Sequence, residues 1–111
     1  MATSPESQRL YEQLLVALKP LGLFGIEEKK TCIHLVRGSA FAGVHFRKRH
    51  LLITVKAAGP IANTRIAKSE QVSKNRWHHD LKLTDGAEID AELIAWLRAS
   101  YELAAIPSVN Q

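Results

Sequence analysis

The stretch from Ile33 to Ala57 reads as two β-hairpins that share a strand, and this limits the possible folds more than any other feature. Ile33-His34-Leu35-Val36-Arg37 forms one strand, Ala40 to Phe46 the next, and Leu51 to Ala57 a third. The two-residue Gly38-Ser39 connection suits a tight hairpin with glycine first. It predicts the pairs Arg37–Ala40, Leu35–Ala42, Ile33–Val44 and Cys32–His45. The turn Arg47-Lys48-Arg49-His50 then predicts Phe46–Leu51, Val44–Ile53 and Ala42–Val55.

Because side chains alternate along a strand, this register sorts the residues into two faces. Ile33, Leu35, Ala42, Val44, Phe46, Leu51, Ile53 and Val55 share one face, and all are apolar. A slip of one residue would expose every one of them, so the pairing is strongly specified. The other face reads as three rows: Val36–Phe41–Lys56, His34–Gly43–Thr54 and Cys32–His45–Leu52. Gly43 leaves the middle of that face bare.

Helices bracket this meander. Ser4 is placed to cap a helix with Pro5 in its first turn. Leu10, Tyr11, Leu14, Leu15 and Leu18 recur at helical spacing, and Pro20 and Gly22 end the run. Asp85-Gly86-Ala87-Glu88 fits a capping box. A second helix follows it, with Ile89, Leu93, Trp96, Leu97 and Ala104 on one face. Ile26 to Lys30 extends the first strand or forms a polar lead-in. Arg76 to Thr84 alternates as a fourth strand: Leu81, Leu83, Trp77 and His79 share the core parity, and His78, Asp80 and Lys82 the other. Residues 58–75 carry no clear pattern, and a structureless loop of that length is uncommon. A short helical turn around Ile61 to Ala67, or a functional mobile segment, is expected there. The predicted class is α+β, an antiparallel meander sheet of about four strands flanked by an N-terminal and a C-terminal helix.

At 111 residues the chain fits a single domain over 1–111, with a loose polar tail at 108–111. No apolar run approaches ~18 residues, so no membrane span is expected. The N-terminus lacks the pattern of a secretory signal. Cys32 is the only cysteine, which precludes an internal disulfide. These features favour a cytoplasmic setting. The net charge of +4 is ordinary for a small soluble domain and does not by itself specify a polyanionic partner.

The second sheet face holds the candidate chemistry. His78 and His79 are adjacent in a strand, point to opposite faces and do not chelate one ion together. No metal-ligand spacing is present, so no metal or cofactor is expected. Cys32 opposite His45 resembles an activated thiol, but no orienting third group or oxyanion hole accompanies it. Ser69, Ser73, His79 and Asp80 form no triad pattern. The basic tip Arg47-Lys48-Arg49-His50, with Lys56 and Arg76, borders a face that bears Phe41. Cations interleaved with aromatics are what single-stranded nucleic-acid platforms use, yet only one such aromatic lies there.

Four stretches resemble a bacterial domain-of-unknown-function family of about this length, whose members are often labelled "predicted transport protein". They are Lys30-Thr31-Cys32-Ile33, Phe41-Ala42-Gly43-Val44-His45, Arg76-Trp77-His78-His79 and Trp96-Leu97-Arg98-Ala99-Ser100-Tyr101-Glu102. The resemblance covers roughly residues 8–104. It implies one intact domain, carries no reaction, and marks Phe41, His45, Trp77 and His79 as positions of the family pattern. The transport label has no counterpart in a membrane span.

The sequence is therefore read as a non-enzymatic binding or interaction domain, monomeric or homodimeric. An anionic small molecule or protein partner is expected on the open sheet face. The expected contact residues are Phe41, His45, Arg47, Arg49, Lys56, Arg76, Trp77 and His79. The alternatives are a small hydrolase-like enzyme using His45 or His79, and a nucleic-acid-binding module.

Overall fold

A computed structural model describes residues 4–104. The apolar stripe of the first helix and the apolar face of the meander meet, as their patterns require. Helix α1 spans Pro5–Leu18 and buries Leu10, Tyr11, Leu14 and Leu18. Ser4 caps it, its Oγ accepting from the Ser7 backbone N–H at 3.2 Å. The chain tightens into a 3-10 turn over Lys19–Leu21 and turns at Gly22, whose φ is 132°.

Six antiparallel strands follow, not about four. They are β1 (Gly25–Glu28), β2 (Cys32–Arg37), β3 (Ser39–Phe46), β4 (Leu51–Ala57), β5 (Ile66–Ser73) and β6 (Arg76–Leu83), in the order β1-β2-β3-β4-β6-β5. Both added strands lie at sheet edges. Residues in β1 are exposed along its length, and those in β5 nearly so. Their polar side chains give no alternating signal, because an edge strand that leaves its side chains in water needs no apolar face. In place of the helical turn expected around Ile61 to Ala67, a single turn at Thr64 and Arg65, closed by the Ile66 N–H donating to the Asn63 carbonyl at 3.1 Å, leads into β5. The segment before β5 is held down by Arg65, which pairs with Asp90 (3.0 Å) and Glu92 (3.1 Å) and donates to the Glu88 carbonyl (2.8 Å).

The capping box at Asp85–Glu88 is present, but it closes a 3-10 turn at Gly86–Glu88. Helix α2 spans Ala91–Ala104. Asp90 Oδ1 accepts from the Leu93 backbone N–H at 3.0 Å, so a second acidic cap starts this helix. Leu93, Leu97, Ser100 and Tyr101 face inward. Both helices cover one face of the sheet, where Leu35, Val44, Leu51, Ile53, Leu81 and Leu83 are fully buried.

The register of the meander holds through Cys32–His45, Ile33–Val44, His34–Gly43 and Leu35–Ala42, and through Ala42–Val55, Val44–Ile53 and Phe46–Leu51. It breaks at the first tip. Arg37 pairs with Ser39, with Gly38 at φ 77° in the turn, and a bulge between Leu35 and Val36 leaves Phe41 as an extra residue. The placement of Phe41 on the open face is thereby corrected. Its side chain is 0% exposed and sits edge-on between Phe24 (5.7 Å between ring centroids) and Tyr101 (5.3 Å). The bulge rotates a large aromatic out of water and into the core.

Gly22 sits under the same Tyr101. A Cβ there would lie 2.5 Å from the tyrosine oxygen, which donates to the Leu23 carbonyl at 2.7 Å. Gly22→Ala combines a strained backbone with this clash. It is expected to lose about 1–3 kcal/mol, measured as a shift of the urea midpoint at constant m.

Candidate functional site

Strand alternation and the sheet order together assemble the open face. One continuous row crosses the whole sheet: Glu27, His34, Gly43, Thr54, Asp80 and Lys68. A neighbouring row sets Lys56 beside His78 and His78 beside Glu70. A cavity of about 300 Å³ opens over these rows. His34, Gly43 and His45 wall one end, Thr54 and Asp80 lie across its floor, and Lys56 and His78 close the other end. From β5, Lys68 and Glu70 form the side. Gly43 presents no side chain to it, and a Cβ there would find its nearest neighbours at ordinary contact distance, Thr54 Cβ (3.6 Å), Thr54 Oγ1 (3.9 Å) and His45 Nε2 (3.9 Å).

A second cavity of about 350 Å³ adjoins it, sharing Ala40, Lys56 and His78. Its polar lining is Ser39, Lys56, Ser73, Arg76, His78 and Ser100, and Val72, Leu103 and Ala104 supply its apolar side. The two cavities form a groove along β6, whose alternate residues Asp80, His78 and Arg76 line it in turn.

Lys56 stands at the junction of the cavities, held by its backbone. Ser100 Oγ accepts from the Lys56 N–H (3.0 Å) and donates to the Lys56 carbonyl (2.5 Å). The β3–β4 register ends at Ala42–Val55. Ser100, itself buried in α2, thus takes over the ladder where the bulge has drawn β3 away. The ammonium above is half-buried, and among the described residues no carboxylate lies within ion-pair distance of it. Burial and the nearby Arg76 lower its pKa. Asp80 is already engaged, because Thr54 Oγ1 donates to its Oδ1 at 2.7 Å.

Burial also lowers the pKa of His45, aided by Arg47 and His34 against the opposing pull of Asp80. It lowers that of His78, with Lys56 adding to the effect, and that of His50, with Lys82 and Arg47 adding. Protonation of these rings costs the folded state more than the unfolded chain, so the unfolded chain binds more protons. Stability is expected to be full above the ordinary histidine pKa of about 6.5 and to fall as pH drops through it. Thermal melts between about pH 7.5 and 5 check this. Replacing His45, His50 and His78 by Gln should flatten the profile in that window.

Among the sequence-nominated residues, His45 and Lys56 line the first cavity, and Lys56 and Arg76 the second. Phe41 belongs to the core. Arg47 and Arg49 occupy the exposed β3–β4 tip and line neither cavity. That tip is pinned to α1: Ser7 Oγ donates to the Arg47 carbonyl and also lies 3.3 Å from that of His50. Trp77 and His79 lie on the helix side of β6, their rings stacked at 5.9 Å and 9°. His79 is 0% exposed. Its Nε2–H donates to the Gly59 carbonyl (2.9 Å), and its Nδ1 is hydrogen-bonded to Ser69 Oγ (2.8 Å). Both ring nitrogens are committed, which leaves neither for chemistry. Sequence reasoning passed over Ser100, Lys68 and Glu70. Only the row opposite Asp80 and His78 would have pointed to the latter two, and it needs β5 to be recognised.

Among the described residues no group of three or more His, Cys, Asp or Glu is arranged to hold a metal ion. Cys32 is a buried free thiol, paired in register with His45.

The family model described as Domain of unknown function (DUF5655) matches residues 2–104. The chain belongs to that family. The assignment covers nearly the whole chain and carries no activity. No curated protein matches, and no solved structure does. Among the described residues no helix is long and apolar enough to cross a membrane.

Proposed function

We propose that this DUF5655 domain binds a small anionic molecule in the groove along β6, with Lys56 as the central contact. The carrying observation is the half-buried Lys56 ammonium, which stands between two cavities with no counter-ion among the described residues, on a backbone clamped by Ser100. Partial burial disfavours an unpaired charge, and an incoming anion relieves that cost. Arg76 and His78 stand beside it in the second cavity. A cytoplasmic setting fits the single reduced Cys32.

Inorganic phosphate, titrated by calorimetry at low salt, is the direct test. Lys56→Ala is expected to weaken binding at least tenfold, about 1.4 kcal/mol, within the range of a charge-assisted hydrogen bond. Added salt should weaken it too. Arg47→Ala with Arg49→Ala should leave it unchanged. No phosphate binding, or equal binding by Lys56→Ala, overturns the proposal. The nucleic-acid alternative is disfavoured because neither cavity is lined by Phe, Tyr or Trp among the described residues. A hydrolase reading has to rest on His45 alone, since His79 is consumed structurally.

A further inference from the structure

The two halves of the groove differ in chemistry. The second cavity contains Lys56, Arg76, His78 and the hydroxyls of Ser39, Ser73 and Ser100, and no carboxylate among the described residues. The first contains Asp80 and Glu70 together with Lys56, Lys68 and the imidazoles of His34, His45 and His78. An anionic group is therefore favoured in the second cavity over the first, where two carboxylates offset the two lysines. Building on the anion-binding reading, we infer that the ligand is a phosphorylated sugar. Its phosphate lies at Lys56 and Arg76, and its hydroxyl-bearing ring lies over Gly43.

Each part of this assignment has its own support. An arginine fork and an ammonium together suit a tetrahedral oxyanion. Hydroxyls both donate and accept, and the first cavity offers both: carboxylates to accept, lysines and Thr54 beside them. An ammonium group only donates and would meet Lys56 and Lys68. A nucleobase would need a stacking surface, and Trp77 and Phe41 lie on the other side of the sheet. The cavity over Gly43, at about 300 Å³, is of a size for one pentose or hexose ring. The space beside position 43 is open because glycine has no side chain there.

The test compares inorganic phosphate, ribose 5-phosphate, glucose 6-phosphate, free glucose, adenosine monophosphate and phosphoethanolamine by calorimetry. A sugar phosphate is expected to bind at least tenfold more tightly than inorganic phosphate, and free glucose not measurably. Gly43→Ala places a methyl in ordinary contact only, so the fold should hold, which its melting temperature verifies. It should bring sugar-phosphate affinity close to that of inorganic phosphate while leaving the latter within about twofold. Asp80→Asn is a second variant with the same expected direction. Sugar phosphates binding no better than phosphate overturn the two-part ligand and leave the anion reading standing. Tighter adenosine monophosphate or phosphoethanolamine overturns the sugar assignment. Loss of all phosphate binding overturns both readings.

Discussion

Phe41→Ala is expected to destabilise the domain by about 3–5 kcal/mol, the range for emptying an aromatic site in a closed core. In a domain of this size the melting temperature should fall on the order of 15 °C. The side chain is fully buried and edge-on to two rings, so its removal costs transfer energy, two aromatic contacts and a cavity. Collapse around that cavity is restricted. Tyr101 is tied to the Leu23 carbonyl through its hydroxyl, its own carbonyl accepts from Arg37, and the Arg37 guanidinium lies 4.0 Å over its ring. Phe41→Leu, which keeps much of the volume, should cost less than half as much. Urea unfolding of the two variants measures both values. A ligand-contacting Phe41 would give the opposite result: stability retained and binding weakened.

Phe41 also marks where the sequence stops being a sufficient guide. Nine pairs of the meander were legible because three alternating strands and two short loops leave one register that puts a wholly apolar face towards the helices. The bulge was not, because a single extra residue changes neither composition nor alternation elsewhere. Its energetic cause is tertiary: the pocket between Phe24 and Tyr101 forms only after α2 has docked. The edge strands β1 and β5 were hidden for a different reason. Glu27, Glu28, Lys68, Ser69 and Glu70 stay in water, so pairing there is set by backbone hydrogen bonds, which any such residue makes. The candidate site was half legible for the same causes. The row His34–Gly43–Thr54 and the placement of Lys56 followed from register. The wall from β5 did not, since its exposed side chains carry no alternation, and the clamp from Ser100 did not, since it joins residues 44 apart in sequence.

His79→Ala is expected to lose about 2–4 kcal/mol of stability while leaving phosphate binding intact at a temperature where the variant is folded. The ring fills a fully buried site and ties the Gly59 carbonyl and Ser69 to β6. Ser69 is exposed, so water replaces its lost partner at little cost. The half-buried Gly59 carbonyl and the empty ring site carry most of the loss. His79→Phe separates these contributions: it restores volume but neither hydrogen bond, and should recover part of the stability. A catalytic or ligand-binding His79 predicts the reverse, an alanine variant that melts normally and fails to bind. Strand geometry favours the structural role. His78 and Asp80 flank His79 in β6, and both turn to the groove, so His79 must turn to the helices. One strand thereby serves the core and the groove through alternate residues, which is why His79→Ala should unfold the protein more readily without altering the groove's affinity for phosphate.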